Sequence, residues 1–424
     1  MKTNFLLFSA ILMALISCSP SGNNESQIIN EAAKARLDSA MIDLVESGMV
    51  AGASALIFED GEEVYFKVSG FADREAQKPM ERNTLAIIYS MTKPITGVAL
   101  MTLYEQGAFQ LDDPLEKYAP EFANMQVFAG VDSVTGEVKL EPLVRPITIR
   151  DITRHTAGFP TNPNQPGLGE LLKAADAGNP NNTLVQMAEK MGKTPLMFQP
   201  GTQWAYGPSV DVQAFLVERL SGKPYGEYVR EKVLDPLGMN ETRYFVPEGD
   251  RDRMSAMYRR SEDGALSQVP DSVAHAFNTK QWAMTPGGYG LTSTLDDYMK
   301  FAQMLVNEGT YKGVTILQPE TIKLMATNQL DDSVTERMFL PSKGNVGFGI
   351  DFAVRVAPTS SPEENMGMIG EYFWDGAAST LFWVDPQNKL TAVLFVQVMP
   401  FFGQVHKNFR DAVYGPYVPA NPSQ

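Results

Sequence analysis

The side chains best suited to chemistry are Ser90 and Lys93, in the stretch YSMTKPITGVALMTLYEQG. Apolar residues recur at helical spacing from Ile95 onward, and a glycine follows at 107, so a helix is predicted over about residues 90–106. Residues three apart share one face of a helix, which brings the Lys93 amine to the Ser90 hydroxyl. An amine at that position can take the serine proton and turn the alcohol into a nucleophile.

The same spacing also fits an ordinary helix start, with Ser90 as a cap residue and Lys93 as a solvated surface charge. A Ser-x-x-Lys spacing is expected about once by chance in a chain of this length. The catalytic interpretation therefore needs further partners. An acylating serine requires a second proton carrier for the leaving group and a second N–H donor for the oxyanion.

Two other stretches supply candidates for those partners. Tyr206, in FQPGTQWAYGPSVDV, follows a Pro-Gly turn and precedes a helix predicted from about Ser209, and a phenol beside an ammonium can carry a proton. In EYFWDGAAS, Gly376 permits close backbone approach, so the Ala377 N–H can face a reacting carbonyl. The alternatives are a loop tyrosine packed on the core and a strand with a bulge glycine.

Length and composition limit the function classes. The chain has 424 residues, of which 44% are hydrophobic and 20% charged, which is typical of a soluble globular protein with room for two subdomains. Its formal net charge is -15, and no Lys/Arg-rich block offsets that charge locally. A nucleic-acid backbone would be repelled, so a nucleic-acid partner is excluded.

The N-terminal segment predicts export and anchoring. Residues 1–17 contain one Lys and an apolar stretch too short to span a bilayer, as in a signal peptide. Residues 15–18 (LISC) resemble the lipobox of bacterial lipoproteins, which makes Cys18 the predicted lipidation site and residues 18–27 a flexible linker. Cys18 is the only cysteine, so no intramolecular disulfide can form. The alternative is a plain signal peptide with an incidental cysteine.

The remaining pattern predicts an α/β protein of the α+β type. An amphipathic helix within residues 26–48 is followed by two strands, GASALIFE and EEVYFKVSG, joined by a turn at Asp60-Gly61. Short helices and Pro/Gly-rich loops fill about residues 110–284, and two helices, four apolar strands and a closing helix follow. We therefore expect a sheet domain from residues 28–90 and 285–424, with a mostly helical domain, residues 91–284, inserted into it.

Five stretches, in order, resemble the serine β-lactamase and penicillin-binding-protein superfamily, in its class C and family VIII carboxylesterase-like branch. They are IIYSMTKPITGVALMTLYEQG, ITIRDITRHTAGFP, QPGTQWAYGPSVDV, TPGGYGLTSTLDDYMKFAQMLVNEG and FWDGAASTLFWVDP. The resemblance implies an antiparallel sheet and favours the nucleophile interpretation of Ser90, with Lys93 as its proton acceptor. It implies that Tyr206 relays a proton to the leaving group, and that the N–H groups of Ser90 and Ala377 form the oxyanion hole. Which of Lys93 and Tyr206 is the base in each half-reaction is left open.

Two departures from the family pattern concern the substrate. Pro208 stands where Tyr-x-Asn motifs carry an amide, and Ser209 is the nearest partial substitute. Trp374 stands where a Lys or His receives a substrate carboxylate, and with Asp375 beside it the strand offers no cation. We therefore expect Trp374, Asp375, Gly376 and Ser209 to contact an ester or amide that lacks the β-lactam carboxylate.

The three histidines, His155, His275 and His406, lie near no Gly-x-Ser-x-Gly elbow, so a Ser-His-Asp triad is not predicted. No metal-binding motif occurs, and neither a metal nor a cofactor is expected. The sequence thus predicts a serine hydrolase in the bacterial cell envelope, facing the periplasm or the exterior and held to the membrane only by its lipid. A D,D-peptidase or β-lactamase, and an inactive surface-anchored binding protein, are the alternatives. Oligomeric state and the choice between hydrolysis and acyl transfer are left open.

Overall fold

A computed structural model describes residues 27–419. The predicted signal peptide, Cys18 and nearly all of the predicted linker lie outside the described residues. Over residues 27–419, every helix is too short or too polar to cross a lipid bilayer.

The central element is an eight-stranded antiparallel sheet with the strand order β12-β13-β14-β15-β16-β1-β2-β3. Smaller pairings join β4 with β9, β5 with β6, β7 with β8 and β17, and β10 with β11. The strands are β1 (Gly52–Glu59), β2 (Glu62–Asp73), β3 (Lys78–Pro79), β4 (Ala86–Ile87), β5 (Gln126–Val131), β6 (Val138–Pro142), β7 (Met257–Arg260), β8 (Leu266–Val269), β9 (Thr292–Ser293), β10 (Thr310–Tyr311), β11 (Val314–Thr315), β12 (Val346–Phe348), β13 (Ala353–Arg355), β14 (Tyr372–Asp375), β15 (Leu381–Asp385), β16 (Leu390–Phe395) and β17 (Val398–Met399).

Both ends of the chain contribute to the large sheet, as predicted. The first hairpin turns at Asp60 and Gly61, which have φ values of 51° and 82°, the left-handed conformation that two-residue hairpin turns need. Strand β1 then pairs antiparallel with β16, placing Leu56 opposite Val393. Nearly every residue of β1 and β16 is buried, because helices cover both faces of the sheet.

Helices form the outer layers. Helices α1 and α12 pack together on one side of the sheet, and α10 packs against β15 and β16 on the other. The α-helices are α1 (Glu31–Glu46), α2 (Thr92–Glu105), α3 (Ile149–Thr153), α4 (Leu168–Ala175), α5 (Leu184–Met191), α6 (Ser209–Ser221), α7 (Tyr225–Val229), α8 (Asp235–Leu237), α9 (Asp271–Ala274), α10 (Leu295–Val306), α11 (Pro319–Met325) and α12 (Gly403–Tyr414). Single turns of other helix types are Tyr89–Met91, Leu115–Lys117, Pro120–Phe122, Arg230–Leu234, Glu248–Arg253 and Leu340–Lys343.

The inserted region is mostly helical, but it also contains the hairpins β5–β6 and β7–β8, which the sequence pattern did not reveal. Helix α2 packs lengthwise on α6 and is buried over almost its whole length. One continuous hydrophobic core runs from the sheet, for example Leu56, into the helical region, for example Phe215. The two regions therefore share a core, and the predicted boundaries at residues 90 and 285 stay a prediction.

Candidate active site

Ser90 lies in the single helical turn Tyr89–Met91, immediately before α2. The segment before it is fixed on two sides, because β4 pairs with β9 and the Gln397 side chain hydrogen bonds to both the N–H and the carbonyl of Ile87. Tyr89 has a φ of 44°, a conformation that residues other than glycine rarely adopt and that often marks functional sites. This anchored turn presents a half-buried Ser90 at the start of a helix, where N–H groups point outward.

Lys93 is brought to Ser90 as the helical spacing predicted. Its Nζ donates hydrogen bonds to Ser90 Oγ at 3.2 Å and to the Gly288 carbonyl at 2.7 Å. The ammonium also lies 4.6 Å from the centre of the Tyr206 ring, a cation–π distance. Only 6% of Lys93 is exposed, so the amine is held among protein groups instead of in bulk solvent. The surface-charge interpretation of Lys93 is therefore wrong.

Tyr206 completes the cluster and is oriented by an indole. The Trp374 Nε1–H donates to the Tyr206 hydroxyl at 3.2 Å. Phe339 and Trp374 each lie 5.3 Å from the Tyr206 ring between centroids, and the Tyr206 backbone N–H donates to Met338 Sδ at 3.1 Å. Trp374 is 1% exposed, which leaves it little surface for a substrate, and its predicted substrate contact stays a prediction.

The strand end that carries Trp374 touches the turn that carries Ser90. A side chain at Gly376 would place its Cβ 2.7 Å from the Ile88 carbonyl oxygen, so only glycine allows this approach. Ala377 lies two residues beyond the end of β14 and is half-buried. The predicted oxyanion donors, the N–H groups of Ser90 and Ala377, thus belong to two segments in direct contact. Their role stays a prediction.

Lys343 is a cation near strand β14 that the sequence analysis did not identify. Lys343 forms a buried ion pair with Asp375, so the Asp375 carboxylate is engaged within the protein. His406 Nδ1 lies 4.0 Å from the same carboxylate, and burial lowers the pKa of His406 to about 4, so the ring is neutral at pH 7. The 32 residues between Lys343 and Asp375 explain why no local pattern indicated the pair. The predicted contact of Asp375 with substrate stays a prediction.

Asp211 is a second group that sequence reasoning missed. It is in the first turn of α6, and its Oδ1 accepts a hydrogen bond from the Gly288 N–H at 2.8 Å. Because the Gly288 carbonyl accepts from Lys93, a single residue, Gly288, connects the Asp211 carboxyl group to the Lys93 amine. Burial raises the pKa of Asp211. An acid in a first helical turn usually stabilises its own helix, so no sequence pattern indicated this contact.

Two further residues considered from the sequence, Ser209 and His155, are both buried near this cluster. Ser209 is 2% exposed, which leaves it little surface for a substrate, and its predicted contact stays a prediction. His155 is fully buried with its ring 4.9 Å from the Tyr206 ring, and burial lowers its pKa well below the usual range. Among residues 27–419, no histidine hydrogen bonds to Ser90, Lys93 or Tyr206. No group of three or more potential metal ligands comes together in the same range.

This geometry can perform acyl transfer through serine. A hydroxyl lies beside an amine, a phenol lies over that amine, and two backbone segments meet where an oxyanion would form. The family model described as Beta-lactamase matches residues 37–414. The chain belongs to this family. The antiparallel sheet and helices fit the fold expected of it.

Three similar proteins refine the assignment. Protein Rv1367c of Mycobacterium tuberculosis is 32% identical over 364 residues, covering 84% of this chain and 88% of that protein. Lovastatin esterase of Penicillium rubens is 27% identical over 408 residues, covering 90% of this chain and 98% of that protein. The solved structure of "EstCE1, a hydrolase with promiscuous acyltransferase activity" is 24% identical, covers 91% of this chain and 99% of that chain, and superposes with a TM-score of 0.72, which shows a shared fold.

Family and relatives together identify the activity in general terms. The chain is a serine hydrolase of the β-lactamase superfamily, with esterases among its relatives. The prediction of an enzyme of this class is confirmed. Its substrate is the subject of the proposal that follows.

Proposed function

We propose that the protein hydrolyses carboxylic esters, or amides, that lack the carboxylate of a β-lactam, through an acyl-enzyme on Ser90. The observation that carries the proposal is that Lys343, the cation beside the site, already has a partner within the protein. The Lys343 ammonium lies 5.5 Å from the centre of the Trp374 ring, but its charge is already paired with Asp375 in a buried ion pair, so it is not free to receive a substrate carboxylate. Trp374, at the position of the family's usual cation, donates to Tyr206 instead.

The proposed reaction has two halves. Ser90 Oγ attacks the ester carbonyl carbon while its proton passes to Lys93 or Tyr206, and the tetrahedral oxyanion is held by the N–H groups of Ser90 and Ala377. Collapse breaks the bond to the alkoxide, which receives a proton through Tyr206 and leaves as the alcohol. Water then attacks the acyl-enzyme by the same route in reverse and returns Ser90 with release of the acid.

Two named relatives support an ester substrate. One is a lovastatin esterase, and the solved neighbour is described as a hydrolase with promiscuous acyltransferase activity. An alcohol or amine in place of water in the second half-reaction would turn hydrolysis into acyl transfer with the same groups. Hydrolysis remains our proposal, because water needs no acceptor site.

Covalent labelling tests the mechanism. A serine-directed phosphonate should acquire a bond to Ser90 in the wild-type protein and none in Ser90→Ala, with Ser379→Ala as a matched control that is labelled like wild type. Lys93→Ala and Tyr206→Phe should each lower turnover by at least about 10²-fold, because each removes a proton carrier. Labelling of a different residue, or an unlabelled but folded wild type, would favour the inactive binding protein.

Substrate comparison tests the specificity. A β-lactam loses a charge-assisted contact and an amide contact here, which together cost about 2 to 4 kcal/mol, or roughly 30- to 1,000-fold in kcat/KM. We therefore expect kcat/KM for a short acyl ester to exceed that for a cephalosporin by at least about a hundredfold. Faster turnover of the cephalosporin would restore the β-lactamase or D,D-peptidase alternative.

We further propose that the protein is exported and lipidated at Cys18, which rests on the N-terminal sequence alone. Cys18→Ser should move the protein from the membrane fraction to the soluble fraction, while activity on a soluble ester is retained. Unchanged membrane association of this variant would contradict lipidation.

A further inference from the structure

A cavity of about 340 Å³ borders the candidate site on its helical side. Its wall is mostly apolar and includes three methionines, Met187, Met191 and Met284, together with Phe159 and Leu172. A cavity of this size and lining is typical of a small-ligand pocket. Neither half-reaction of the proposed mechanism uses this cavity.

The cavity meets the catalytic cluster along two backbone segments. Gly207 and Pro208, which line it, directly follow Tyr206. Asp211 and Tyr289 also line it; Asp211 accepts a hydrogen bond from the Gly288 N–H, and Tyr289 directly follows Gly288, whose carbonyl accepts from Lys93. The cavity wall is therefore continuous with the residues that hold Tyr206 and Lys93.

We propose that this cavity, which we call the acyl pocket, holds the acyl chain of the substrate and selects uncharged, apolar acyl groups. The proposal rests on the proposed function. With about 30 Å³ for each water-sized group, a volume of 340 Å³ admits on the order of ten non-hydrogen atoms. The natural substrate class is thus an ester of a medium-length or branched aliphatic acid.

Pro208 supports this choice of occupant. In the family pattern this position holds an amide that binds a polar acyl side chain, whereas proline has neither a side-chain amide nor a backbone N–H. Pro208 instead adds an apolar ring to the wall of the acyl pocket. The methionine side chains of the same wall are flexible and adapt to different apolar shapes, so branched as well as linear chains fit.

Asp211 supports the exclusion of charged chains. The surroundings that raise the pKa of Asp211 disfavour a negative charge in this wall. A second carboxylate, carried in at the end of an acyl chain, would meet the same desolvation penalty in a wall that is mostly apolar. Dicarboxylic half-esters should therefore be poor substrates.

Neighbouring leucines on α4 give a matched pair of variants. Leu172 is half-buried and lines the acyl pocket, whereas Leu171 is 38% exposed and does not. We would measure kcat/KM for acetyl, butanoyl, hexanoyl and octanoyl esters of one chromogenic alcohol with wild type, Leu172→Trp and Leu171→Trp. Met191→Ala, which enlarges the acyl pocket, serves as a second variant should Leu172→Trp fail to fold.

Wild type should prefer butanoyl or longer esters over acetyl. Leu172→Trp should lose at least about tenfold on the hexanoyl and octanoyl esters but stay within about threefold on the acetyl ester, because an acetyl group does not reach the filled volume. Leu171→Trp should keep the wild-type profile, and Met191→Ala should shift the optimum to longer chains.

Distinct outcomes overturn the two proposals. If acetyl esters are hydrolysed but chain length has no effect in any variant, or if Leu171→Trp matches Leu172→Trp, the acyl pocket is wrong and the ester hydrolase stands. If no ester is hydrolysed and the phosphonate does not label Ser90, the proposed function fails, and the acyl pocket with it.

Discussion

At the residue scale, the unusual feature of the site is that an indole orients the catalytic phenol. The Trp374 N–H points at the Tyr206 oxygen, where related sites place a Lys or His. An N–H donor suits an oxygen that gains negative charge when it gives up its proton, but it brings no charge of its own for a substrate. A tryptophan at this position is therefore compatible with the proposed proton relay and offers no charge to a substrate carboxylate.

Trp374→Phe should weaken the proposed proton transfer through Tyr206, while an aromatic ring still occupies this buried position. The net worth of a neutral hydrogen bond is about 0.5 to 1.5 kcal/mol, so kcat should fall roughly 2- to 13-fold, with little change in KM. Trp383→Phe is the matched control, since its Nε1–H donates to the Tyr414 hydroxyl at 2.9 Å on another part of the sheet. Steady-state kinetics on an acetyl ester compare the two. An equal kcat loss in both variants would mean that stability, and not the relay, is affected.

Asp211 and Lys93 both hydrogen bond to Gly288, from which we predict that Asp211 positions the Lys93 amine. Asp211→Ala leaves the Gly288 N–H without its acceptor, a loss of about 1 to 3 kcal/mol, so kcat on an acetyl ester should drop at least about tenfold. Asp211→Asn retains an acceptor oxygen and should recover most of that loss. The pH profile of kcat for both variants is the readout. If Asp211→Asn lowered kcat as much as Asp211→Ala, the loss would be due to the missing carboxylate charge and not to the missing hydrogen-bond acceptor.

At the scale of secondary structure, the site depends on one close contact between the end of β14 and the turn before α2. Gly376 packs against the Ile88 carbonyl, two residues from Ser90. The spacing between the two predicted oxyanion donors is set by this contact. Neither segment alone could form the oxyanion hole.

Gly376→Ala should separate these two segments. Its new Cβ would lie 2.7 Å from the Ile88 oxygen and would also overlap Thr380, so the backbone has to shift. We expect a loss of at least about tenfold in kcat/KM, because small displacements of oxyanion donors are costly. Gly249→Ala introduces a Cβ with no atom within 4 Å and should behave as wild type. Unchanged kinetics of Gly376→Ala would show that the contact does not set the site geometry.

Sequence patterns predicted the helices and strands that are determined by residues close together in the chain. The first hairpin follows from alternation around Asp60-Gly61, and the Ser90 helix from its apolar spacing and Gly107. The hairpins β5–β6 and β7–β8 were missed, because their strands are short and largely exposed on one face. The Lys343–Asp375 pair and the Asp211–Gly288 contact were missed for a different reason. They join residues far apart in the chain, and only the folded topology brings them together.

At the scale of the whole molecule, the face of the sheet covered by α12 contains a layer of buried charge. Glu371 accepts from both Arg355 and Arg410, and all three side chains are fully buried. The Lys343–Asp375 pair continues this layer toward the active site, with His406 of α12 beside it. Breaking such a pair leaves an uncompensated charge in the core, so stability and the electrostatics of the site are linked through this face.

His406 makes that stability dependent on pH. Burial lowers its pKa from 6.5 to about 4, so between these values the unfolded chain binds a proton that the folded protein does not. The contribution of His406 to the free energy of unfolding therefore falls as the pH drops from about 6.5 to about 4, by up to roughly 3 kcal/mol. His155, whose pKa is also lowered by burial, adds a loss of the same sign, whereas Asp351, whose pKa burial raises, opposes it.

His406→Gln should flatten this dependence. Glutamine does not titrate and can still donate to the Ser379 carbonyl, which the His406 Nε2 contacts at 3.0 Å. Urea unfolding at pH 7.0 and pH 4.5 should show a smaller stability difference in the variant than in wild type, even if the variant is less stable at pH 7.0. Asn408→Gln, on the same helix and without a titrating group, should keep the wild-type difference. A His406→Gln variant that loses as much stability on acidification as wild type would show that this histidine is not held neutral by the fold and that the acid sensitivity arises elsewhere in the protein.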